Sequence, residues 1–522
     1  VRSIALVGAC ACDPLSSLPS GVGLTEPDVS IYLAEKEKET EEGGDSRGEG
    51  QGKAEANTNP IPCSIRIYHN IPTTTTTATA TMMLWRKEGW RLGAAVGRAL
   101  LPNQGQGWKK TSAALCSVVR GAASYAASYS TSSSSACHET FGLTEMQVEF
   151  REVARSFALN ELAPHSAKWD ETKHFPVDTL KQAAELGFGG IYCQEEYGGT
   201  GLGREDAAVI FEALAYGDIS FTAYLTIHNM NCFVLDTFGT QQQKEKYLQR
   251  MTCMELLSSY CLTEPNSGSD AASLETSAVK QEDGSYVLNG AKAFISGAGT
   301  SDVYIVMART DPGADKAKGI TCFVVEKDQE GVSFGKPEKK LGWNSQPTCV
   351  VSFDDVVVPA ENRVGEEGEG FKIAMMGLDG GRINIATCSV GGAAFALDSA
   401  REYTSSRKQF GKPLDKFQNT QFKLADCATS LAASRLMVRR AARALDAKIA
   451  SATAECAMAK RFATDSCFDI ANTCLQLHGG YGYLMDYPAE RIVRDLRVHS
   501  ILEGTNEIMR VIIAREMDRQ KV

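Results

Sequence analysis

The sequence has no paired cysteines, no long apolar run and no excess of basic residues. Its 16 cysteines form no CxxC pair and no Cys/His spacing of the zinc-binding kind, which argues against a structural zinc site and is typical of a reducing compartment. Because no run of about 18 apolar residues occurs, no transmembrane helix is expected. The net charge of −10 disfavours nucleic acid as a partner. The glycine-rich loop GGTGLG at 198–203 lacks a following lysine, which excludes a Walker-type phosphate loop.

What the sequence does contain is typical of a large globular protein. It has 522 residues, of which 43% are hydrophobic and 23% are charged. A chain of this length is long enough for two or three domains and a sizeable core.

The first 82 residues do not have the composition of a folded domain. They contain a charge run, EKEKETEEGGD at 35–45, and a threonine tract at 73–77, with no methionine before Met82. Such segments bury too little apolar surface to offset chain entropy. We expect either a gene-model extension or a disordered tail.

Residues 83–138 have a different composition. They carry seven basic residues and one acidic residue, Glu88, and are rich in alanine and serine. This pattern predicts a mitochondrial transit peptide, with a generic disordered linker as the alternative. The rest of the chain stays acidic without it.

The hydrophobic pattern predicts an α+β protein with several domains. Helical periodicity dominates 139–257, and Thr144 is placed to cap the first of these helices. Alternating and β-branched runs in 258–365 predict an antiparallel β domain with turns at 282–284 and at Asn289-Gly290. Helices return in 366–522, where the first long helix, from about 370 to 403, is expected to be interrupted by glycines at 380, 381, 391 and 392. Close approach of a ligand or another helix is the usual reason for such glycines.

A candidate catalytic carboxylate lies in ILEGTNEIMRVIIAR at 501–515. Glu503 and the flexible Gly504 precede a helix that Thr505 is expected to cap. An irregular segment can lower such a side chain into a cavity, and the free N–H groups of the helix start suit a phosphate or a polar cofactor edge. Taken alone, a capped helix with solvated glutamates is the more common case.

Four further clusters suit a flat or phosphorylated ligand. They are YCLTEPNSGSD at 260–270, KAFIS at 292–296, RKQFGKP at 407–413 and QLHGGYG at 476–482. Small residues admit a ligand close to the backbone, and Arg407 suits a pyrophosphate. Each cluster also has a structural alternative: a turn, a strand end, a helix end with favourable charges, or, at His478, a hydrogen-bonded structural histidine.

In their order and spacing, these motifs together resemble the acyl-CoA dehydrogenase family. The likeness covers about 141–517. Three further runs, IHNM at 227–230, GWNSQPT at 342–348 and GGRINIA at 380–386, are most similar to members that act on isobutyryl-CoA in valine breakdown. Two residues depart from the pattern. Asp379 stands where this subgroup is expected to have asparagine, and Asn266 stands where the loop often has glycine.

The resemblance implies an N-terminal helical domain, a central antiparallel β domain and a C-terminal four-helix bundle. It also implies a homotetramer, with FAD bound between the β domain and the bundle and with Arg407, Phe417 and Gln418 acting across a subunit interface. The residues implied to hold FAD are Tyr260, Cys261, Leu262, Thr263, Glu264, Pro265, Asn266, Ser267, Gly268, Ser269, Phe294, Ile295, Ser296, Arg407, Phe417, Gln418, Gln476, Leu477, His478, Gly479, Gly480, Thr505, Asn506 and Glu507. Those implied to contact acyl-CoA are Ser269, Asp379, Gly380, Gly381, Arg382 and Arg515.

The resemblance further implies oxidation of a short branched-chain acyl-CoA in the mitochondrial matrix, with electron-transferring flavoprotein as the electron acceptor. Removing the weakly acidic α-proton of a thioester needs a positioned base. Glu503 takes this role, and the β-hydrogen leaves as hydride to FAD. Some members carry the base just before the arginine that here is Arg382, but that position is Gly381. Exclusion of water is expected to raise the pKa of Glu503. No metal is implied.

Three alternatives stay open. An acyl-CoA oxidase would release peroxide instead of reducing a flavoprotein. In a non-catalytic assembly partner with the same fold, an acyl-CoA would not bleach the yellow colour of a bound flavin. The presence of Glu503 with all the flavin motifs weighs against this alternative. A DNA-binding relative is disfavoured by the acidic charge.

Overall fold

The computed structural model of the chain describes residues 140–519, and the expectations for 1–82 and 83–138 concern residues outside this part. The first region is helical, and π-helical turns follow its first helix and separate its last two. Thr144 caps the first helix as predicted, since its hydroxyl accepts from the N–H of Gln147 at 3.2 Å. The helices are α1 (Glu145–Phe157), α2 (Ser166–Thr172), α3 (Val177–Glu185), α4 (Arg204–Ala215), α5 (Ile219–Phe238), α6 (Gln241–Gln243) and α7 (Gln249–Thr252).

Helix α5 is buried on nearly every side, which its largely apolar sequence allows. Its first half packs Phe221, Tyr224 and Leu225 into the core of the helical region. Its second half packs Val234 and Leu235 against strands of the sheet. This helix therefore joins the helical region to the β region and forms one wall of the space between them.

The middle region is an eight-stranded sheet in the order β6-β7-β3-β2-β4-β5-β8, with β1 beside β4. Its strands are β1 (Ser258–Cys261), β2 (Ser277–Lys280), β3 (Tyr286–Ser296), β4 (Val303–Arg309), β5 (Ile320–Glu326), β6 (Val332–Phe334), β7 (Thr348–Val358) and β8 (Arg363–Val364). Most pairs are antiparallel as predicted, but β1 and β2 both run parallel to β4. Parallel strands cannot be joined by a tight hairpin. Here the chain forms β2 and β3 between β1 and β4, and it forms β3 between β2 and β4.

The prediction of a turn at Asn289-Gly290 is wrong. Both residues lie inside β3, where the register against β7 shifts between Leu288 and Gly290. Gly290 has φ of +144°, and an added Cβ would lie 2.7 Å from Thr276. The glycine therefore marks a β-bulge at which the backbone of Thr276 approaches closely. Both a bulge and a hairpin turn favour glycine, so the pair Asn289-Gly290 is compatible with either.

The last region consists mainly of long helices, with one two-stranded ribbon. Its elements are α8 (Gly370–Ser406), β9 (Lys408–Gln409), β10 (Lys412–Pro413), α9 (Gln418–Asp446), α10 (Ala452–His478), α11 (Ala489–Arg497) and α12 (Asn506–Asp518). Alanine and cysteine side chains of α8, α9 and α10 form much of its core. With this region the predicted α+β architecture of helical, β and helical parts is confirmed.

Helix α8 is continuous, which corrects the expectation of interruptions by glycine. Two of its glycines face other helices at distances that leave no room for a side chain. An added Cβ at Gly391 would lie 2.4 Å from the carbonyl oxygen of Glu212, and one at Gly392 would lie 2.5 Å from Ile219. Close packing on α4 and α5 therefore outweighs the low helix propensity of glycine.

Residues 140–519 contain neither a membrane-spanning helix nor a cluster of metal ligands. No helix there is long and apolar enough to cross a membrane. No three acidic, histidine or cysteine side chains there are grouped so that they could hold a metal ion.

Candidate active site

A cavity of about 680 Å³ lies where α5, the sheet, α8 and the start of α12 meet. We call it the central cavity. The apolar part of its wall includes Ile227 and Met230 from α5, Leu378 and Ile385 from α8, and Trp343 from the β region. Polar side chains enter it from α8 and the segment before α12, and also from the β region and from α12 itself. A mostly apolar cavity with a few converging polar groups is the usual form of a substrate or cofactor site.

Glu503 enters this cavity from a strained segment. Its φ is +57°, and Gly504 after it has φ of +85°. A non-glycine residue in the left-handed region costs about 1–2 kcal/mol, so the surrounding structure must hold it there. Thr505 then caps α12, because its hydroxyl accepts from the N–H of Ile508 at 3.3 Å. Oε2 of Glu503 is buried and has no hydrogen-bond partner within residues 140–519.

Helix α8 faces this carboxylate with a glycine. A Cβ added to Gly381 would lie 2.3 Å from Oε2 of Glu503. The absent side chain therefore leaves the space that the carboxylate uses. The next residue, Arg382, is buried and pairs with Asp379 at 2.5 Å, and Asp379 also accepts from Thr453 at 2.9 Å.

Burial raises the pKa of Glu503 to about 7, against the opposing pull of the nearby Arg382 and Lys460 charges. A carboxylate with a pKa near neutrality is both ionised in a useful fraction and basic enough to accept a proton. Tyr260 is a further unpartnered polar group at this cavity. Its hydroxyl is buried with no partner in the described residues, and burial raises its pKa well above the usual value.

A buried ion pair fixes the loop between β1 and β2 that borders the cavity. Nζ of the fully buried Lys292 lies 2.7 Å from Oε1 of Glu264 and donates to the carbonyl of Leu262 at 3.2 Å. The carboxylate of Glu264 also accepts the N–H groups of Glu275 at 2.6 Å and Thr276 at 2.9 Å. Glu264 therefore holds the loop at both ends.

We expect Lys292→Met to destabilise the protein by about 3–5 kcal/mol, because it leaves the Glu264 carboxylate buried without its charge partner. The control is Lys316→Met, which breaks a pair with Asp270 whose side chains are both 68% exposed and should cost less than about 1 kcal/mol. Urea unfolding of both variants measures the difference. Equal midpoints for the two variants would contradict this role of Lys292.

A second opening of about 420 Å³ lies at the C-terminal ends of α8 and α10. We call it the terminal cleft. Arg407 lines it and has no carboxylate partner in the described residues, while its guanidinium lies 5.6 Å from the ring centre of Tyr481. His478 is held by the Cys474 carbonyl at 2.7 Å and stacks on Tyr403 with ring centres 4.6 Å apart. These contacts fit the structural alternative for His478.

The structure brings most of the predicted site residues to these two openings. Those that line the central cavity are Tyr260, Leu262, Thr263, Gly268, Ser269, Phe294, Ile295, Ser296, Asp379, Gly381, Arg382, Glu503 and Arg515. Those that line the terminal cleft are Arg407, Gln476, Leu477, His478, Gly479 and Gly480. The remaining ones line neither opening and are Cys261, Glu264, Pro265, Asn266, Ser267, Gly380, Phe417, Gln418, Thr505, Asn506 and Glu507.

Several residues of the last group have clear structural surroundings. Cys261 is fully buried in the sheet core. An added Cβ at Gly380 would lie 2.3 Å from the guanidinium of Arg204, so this glycine makes room for a buried arginine. Asn506 is buried and hydrogen-bonded to α10, while Glu507 is exposed.

Two buried residues beside the cavity were not predicted from the sequence. Trp343 forms part of the wall, and its indole N–H donates to Nε2 of His499 at 3.2 Å. Burial lowers the pKa of His499 to about 3, which keeps this acceptor neutral. Lys460 is fully buried in α10 and donates to the carbonyl of Gly504 at 2.8 Å. Its sequence signal is a lysine at the helical spacing of small buried residues, between Cys456 and Thr464.

The residues at both openings fit FAD, the cofactor that the resemblance implies. An added Cβ at Gly268, Gly479 or Gly480 would meet nothing within 4 Å, so backbone is accessible to a ligand there. The Phe294 ring is 70% exposed at the cavity, which suits contact with a flat ring. Arg407 in the terminal cleft is the donor type that recognises phosphate.

Comparison with known proteins agrees with this geometry. The sequence models of the acyl-CoA dehydrogenase N-terminal, middle and C-terminal domains match residues 144–255, 259–356 and 368–517. The mitochondrial isobutyryl-CoA dehydrogenase of Bos taurus is 57% identical over 378 residues, covering 72% of this chain and 90% of that protein. The protein of the same name from Dictyostelium discoideum is 56% identical over 379 residues, with the same coverage of 72% and 90%.

Solved structures have the same fold. Butyryl-CoA dehydrogenase from Megasphaera elsdenii matches with a TM-score of 0.70 and 40% identity, covering 72% of this chain and 99% of that one. Other structures of the same fold are described as holding FAD. The three matched domain models and these relatives show that the chain belongs to the acyl-CoA dehydrogenase family of FAD-dependent oxidoreductases.

Proposed function

We propose that this enzyme converts isobutyryl-CoA to methacrylyl-CoA in valine breakdown, with Glu503 as the base that removes the α-proton. The observation that carries the proposal is the buried carboxylate of Glu503, which has no partner among the described residues and points at a helix position without a side chain. The relatives with 57% and 56% identity, both named isobutyryl-CoA dehydrogenase, support the choice of substrate.

The residues of the cavity suit the two charges that change in this reaction. The carboxylate of Glu503 accepts the α-proton. Its raised pKa lies closer to the pKa of the weakly acidic α-proton, which makes it a stronger base for this step. The backbone N–H of Glu503 makes no hydrogen bond to residues 140–519, so it is free to donate to the thioester oxygen, on which negative charge develops. Trp343, Ile385 and Leu378 give this space an apolar wall, which disfavours water beside the carboxylate. When bound, FAD supplies the acceptor for the β-hydride.

We propose a homotetramer in which FAD lies across two subunits. Within one chain, the ring-binding residues around Tyr260 and Phe294 line the central cavity, while Arg407 and the residues near His478 line the separate terminal cleft. A cofactor that contacts both groups is accommodated if the cleft of one subunit serves the cavity of another. The same proposal explains the 94% exposure of the Phe410 side chain next to this cleft.

The substrate is tested by comparing turnover of isobutyryl-, 2-methylbutyryl-, butyryl- and isovaleryl-CoA. We expect the highest kcat/KM with isobutyryl-CoA, although one methylene changes discrimination by only about 1–3 kcal/mol. A clear preference for butyryl-CoA or isovaleryl-CoA would contradict the assignment while leaving the reaction type intact.

We propose electron-transferring flavoprotein as the electron acceptor and the mitochondrial matrix as the location. Both relatives are named as mitochondrial proteins, and residues 83–138 have the composition of a transit peptide. Reduction of an added flavoprotein acceptor without release of hydrogen peroxide is the expected result. Stoichiometric peroxide in its place would identify an oxidase.

The rate of flavin bleaching should rise with pH through about 7. Because burial raises the pKa of Glu503 to about 7, the carboxyl is protonated below that pH and cannot accept the α-proton, whereas it is ionised above it. Anaerobic mixing with isobutyryl-CoA between roughly pH 5.5 and 8.5 gives the profile of the enzyme–substrate complex. A rate that stays nearly flat down to about pH 5.5, as expected for a carboxyl with the ordinary glutamate pKa of about 4.3, would contradict the burial of this carboxylate.

A further inference from the structure

The fully buried Lys460 connects helix α10 to the segment that carries Glu503. It lies on the face of α10 that also buries Ala457, Ala463 and Thr464. Its ammonium donates to the carbonyl oxygen of Gly504 at 2.8 Å and to Oδ1 of Asn506 at 2.8 Å. A lysine is rarely buried to this extent, so both contacts matter for keeping its charge in the interior.

The segment that Lys460 holds is the strained one. Glu503 and Gly504 both have positive φ, and this short irregular stretch precedes the cap of α12. Asn506, at the start of α12, is held as well, because its amide donates to Thr464 at 2.9 Å and to Asp465 at 2.6 Å. Lys460 therefore holds the carbonyl of Gly504, the residue after Glu503, and also the first residue of the helix that follows. A backbone held at these two points keeps the Glu503 side chain in one place.

Lys460 also places a positive charge near Glu503. The charged groups that face Lys460 are Glu503, Asp465, Glu507 and Arg382. Those that face Glu503 are Arg382 and Lys460, and the Tyr260 hydroxyl is the further titratable neighbour. Burial lowers the pKa of Lys460 to about 8, which still leaves most of it charged at pH 7. A nearby cation favours the ionised form of a carboxylate and so lowers its pKa.

We propose that Lys460 is a positioning residue for the dehydrogenation reaction, which tethers the Glu503 segment through the Gly504 carbonyl and Asn506 and favours the ionised base. This inference rests on the proposed role of Glu503. It adds a second element, α10, to the catalytic arrangement. The ammonium touches neither substrate nor cofactor in this arrangement, and its effect passes through Glu503.

The test is Lys460→Met, which keeps the length of the side chain and removes its charge and hydrogen bonds. Lys168→Met is the matched control, since Lys168 lies exposed on α2 and pairs only with Glu171. In anaerobic mixing with isobutyryl-CoA, we expect at least about tenfold slower bleaching for Lys460→Met, as a base displaced by a fraction of an ångström loses reactivity. The acid limb should move to higher pH by about one unit, because the cation no longer favours the carboxylate.

Hydrogen–deuterium exchange provides a measurement that does not depend on turnover. Backbone amides of 502–506 should exchange faster in Lys460→Met than in the wild type or in Lys168→Met. If the variant folds and retains FAD but bleaches at the wild-type rate with an unmoved acid limb, the proposal is overturned.

Asn506→Ala tests the tether separately, including the case in which Lys460→Met fails to fold. It removes one of the two acceptors and keeps the charge of Lys460, so bleaching should slow several-fold while the acid limb stays in place. An unchanged rate in Asn506→Ala would overturn the tether. Glu503→Gln in the same assay separates the two levels of the argument. If the flavin of Glu503→Gln is bleached at the wild-type rate, the proposed base is wrong. If it is not bleached, while Lys460→Met and Asn506→Ala both react at the wild-type rate, only the proposed role of Lys460 is contradicted.

Discussion

Glu503→Gln should slow flavin reduction by isobutyryl-CoA by about 10²–10⁴-fold, the usual effect of removing a general base. The amide has nearly the shape of the carboxylate, so the packing around Gly381 and Arg382 is kept. FAD content and thermal stability should therefore stay close to those of the wild type. The loss is a chemical one, because an amide does not accept a proton from the α-carbon at neutral pH.

The measurement is anaerobic stopped-flow mixing at pH 8, where the wild-type carboxyl is ionised. Glu152→Gln is the matched control, since this glutamate is exposed on α1 and lines neither opening. It should bleach at nearly the wild-type rate. Wild-type bleaching in Glu503→Gln would show that another group takes the proton, whereas loss of FAD from the variant would require the comparison to be repeated with the cofactor restored.

Gly381→Ala is expected to have the second largest effect, a loss of at least about 10²-fold in the bleaching rate. The new methyl group would lie 2.3 Å from Oε2 of Glu503, and the carboxylate must move away from it. The displaced atoms are the end of a flexible side chain, so the protein should remain within about 1 kcal/mol of its original stability. Activity and stability are thus expected to separate in this variant.

Gly377→Ala is the matched control, one helical turn earlier on α8. An added Cβ there would meet Met230 and Val234 at 3.6 Å, an ordinary contact, and alanine favours a helix interior by about 0.5–1 kcal/mol over glycine. It should be stable and active. Equal activity of the two alanine variants would contradict the crowding of Glu503.

The positions of Gly381 and Glu503 also predict a rescue. In the double variant Gly381→Glu with Glu503→Gly, the carboxylate comes from α8 into the same space, and glycine suits the positive φ at position 503. We expect this variant to bleach faster than one that carries Glu503→Gly alone. A double variant no faster than the single one would mean that the two positions do not serve the same α-carbon.

The sequence predicts the order of helical, β and helical regions because long periodic segments carry strong local signals. The cap at Thr144, the helix start at Thr505 and the motifs that surround the central cavity all follow from residues close together in the chain. The family resemblance connects these motifs into one site. The geometry of Glu503 against Gly381 needs the structure, since the two residues are far apart in sequence.

Long-range packing accounts for what the sequence analysis missed. The glycine of Asn289-Gly290 serves a bulge beside Thr276, a contact that its neighbours in sequence do not indicate. The glycines of α8 were attributed to close approach of a ligand or another helix, and Gly391 and Gly392 do pack against α4 and α5, but the sequence alone does not indicate which helices they meet. Lys292 and Lys460 are buried because Glu264 and the Gly504 carbonyl meet them from distant segments, and local composition alone would place lysines on the surface.

The continuity of α8 has a consequence for how the protein unfolds. Its 37 residues span about 55 Å at 1.5 Å per residue, and they contribute to more than one hydrophobic core. Ile373 and Ala374 pack with strands of the sheet, whereas Ile383, Val390 and Leu397 pack with the C-terminal helices. Neither core can melt without exposing part of this helix, so the two should lose structure together. A calorimetric scan of residues 140–519 should therefore give one heat-absorption peak rather than separate transitions for the β and helical regions.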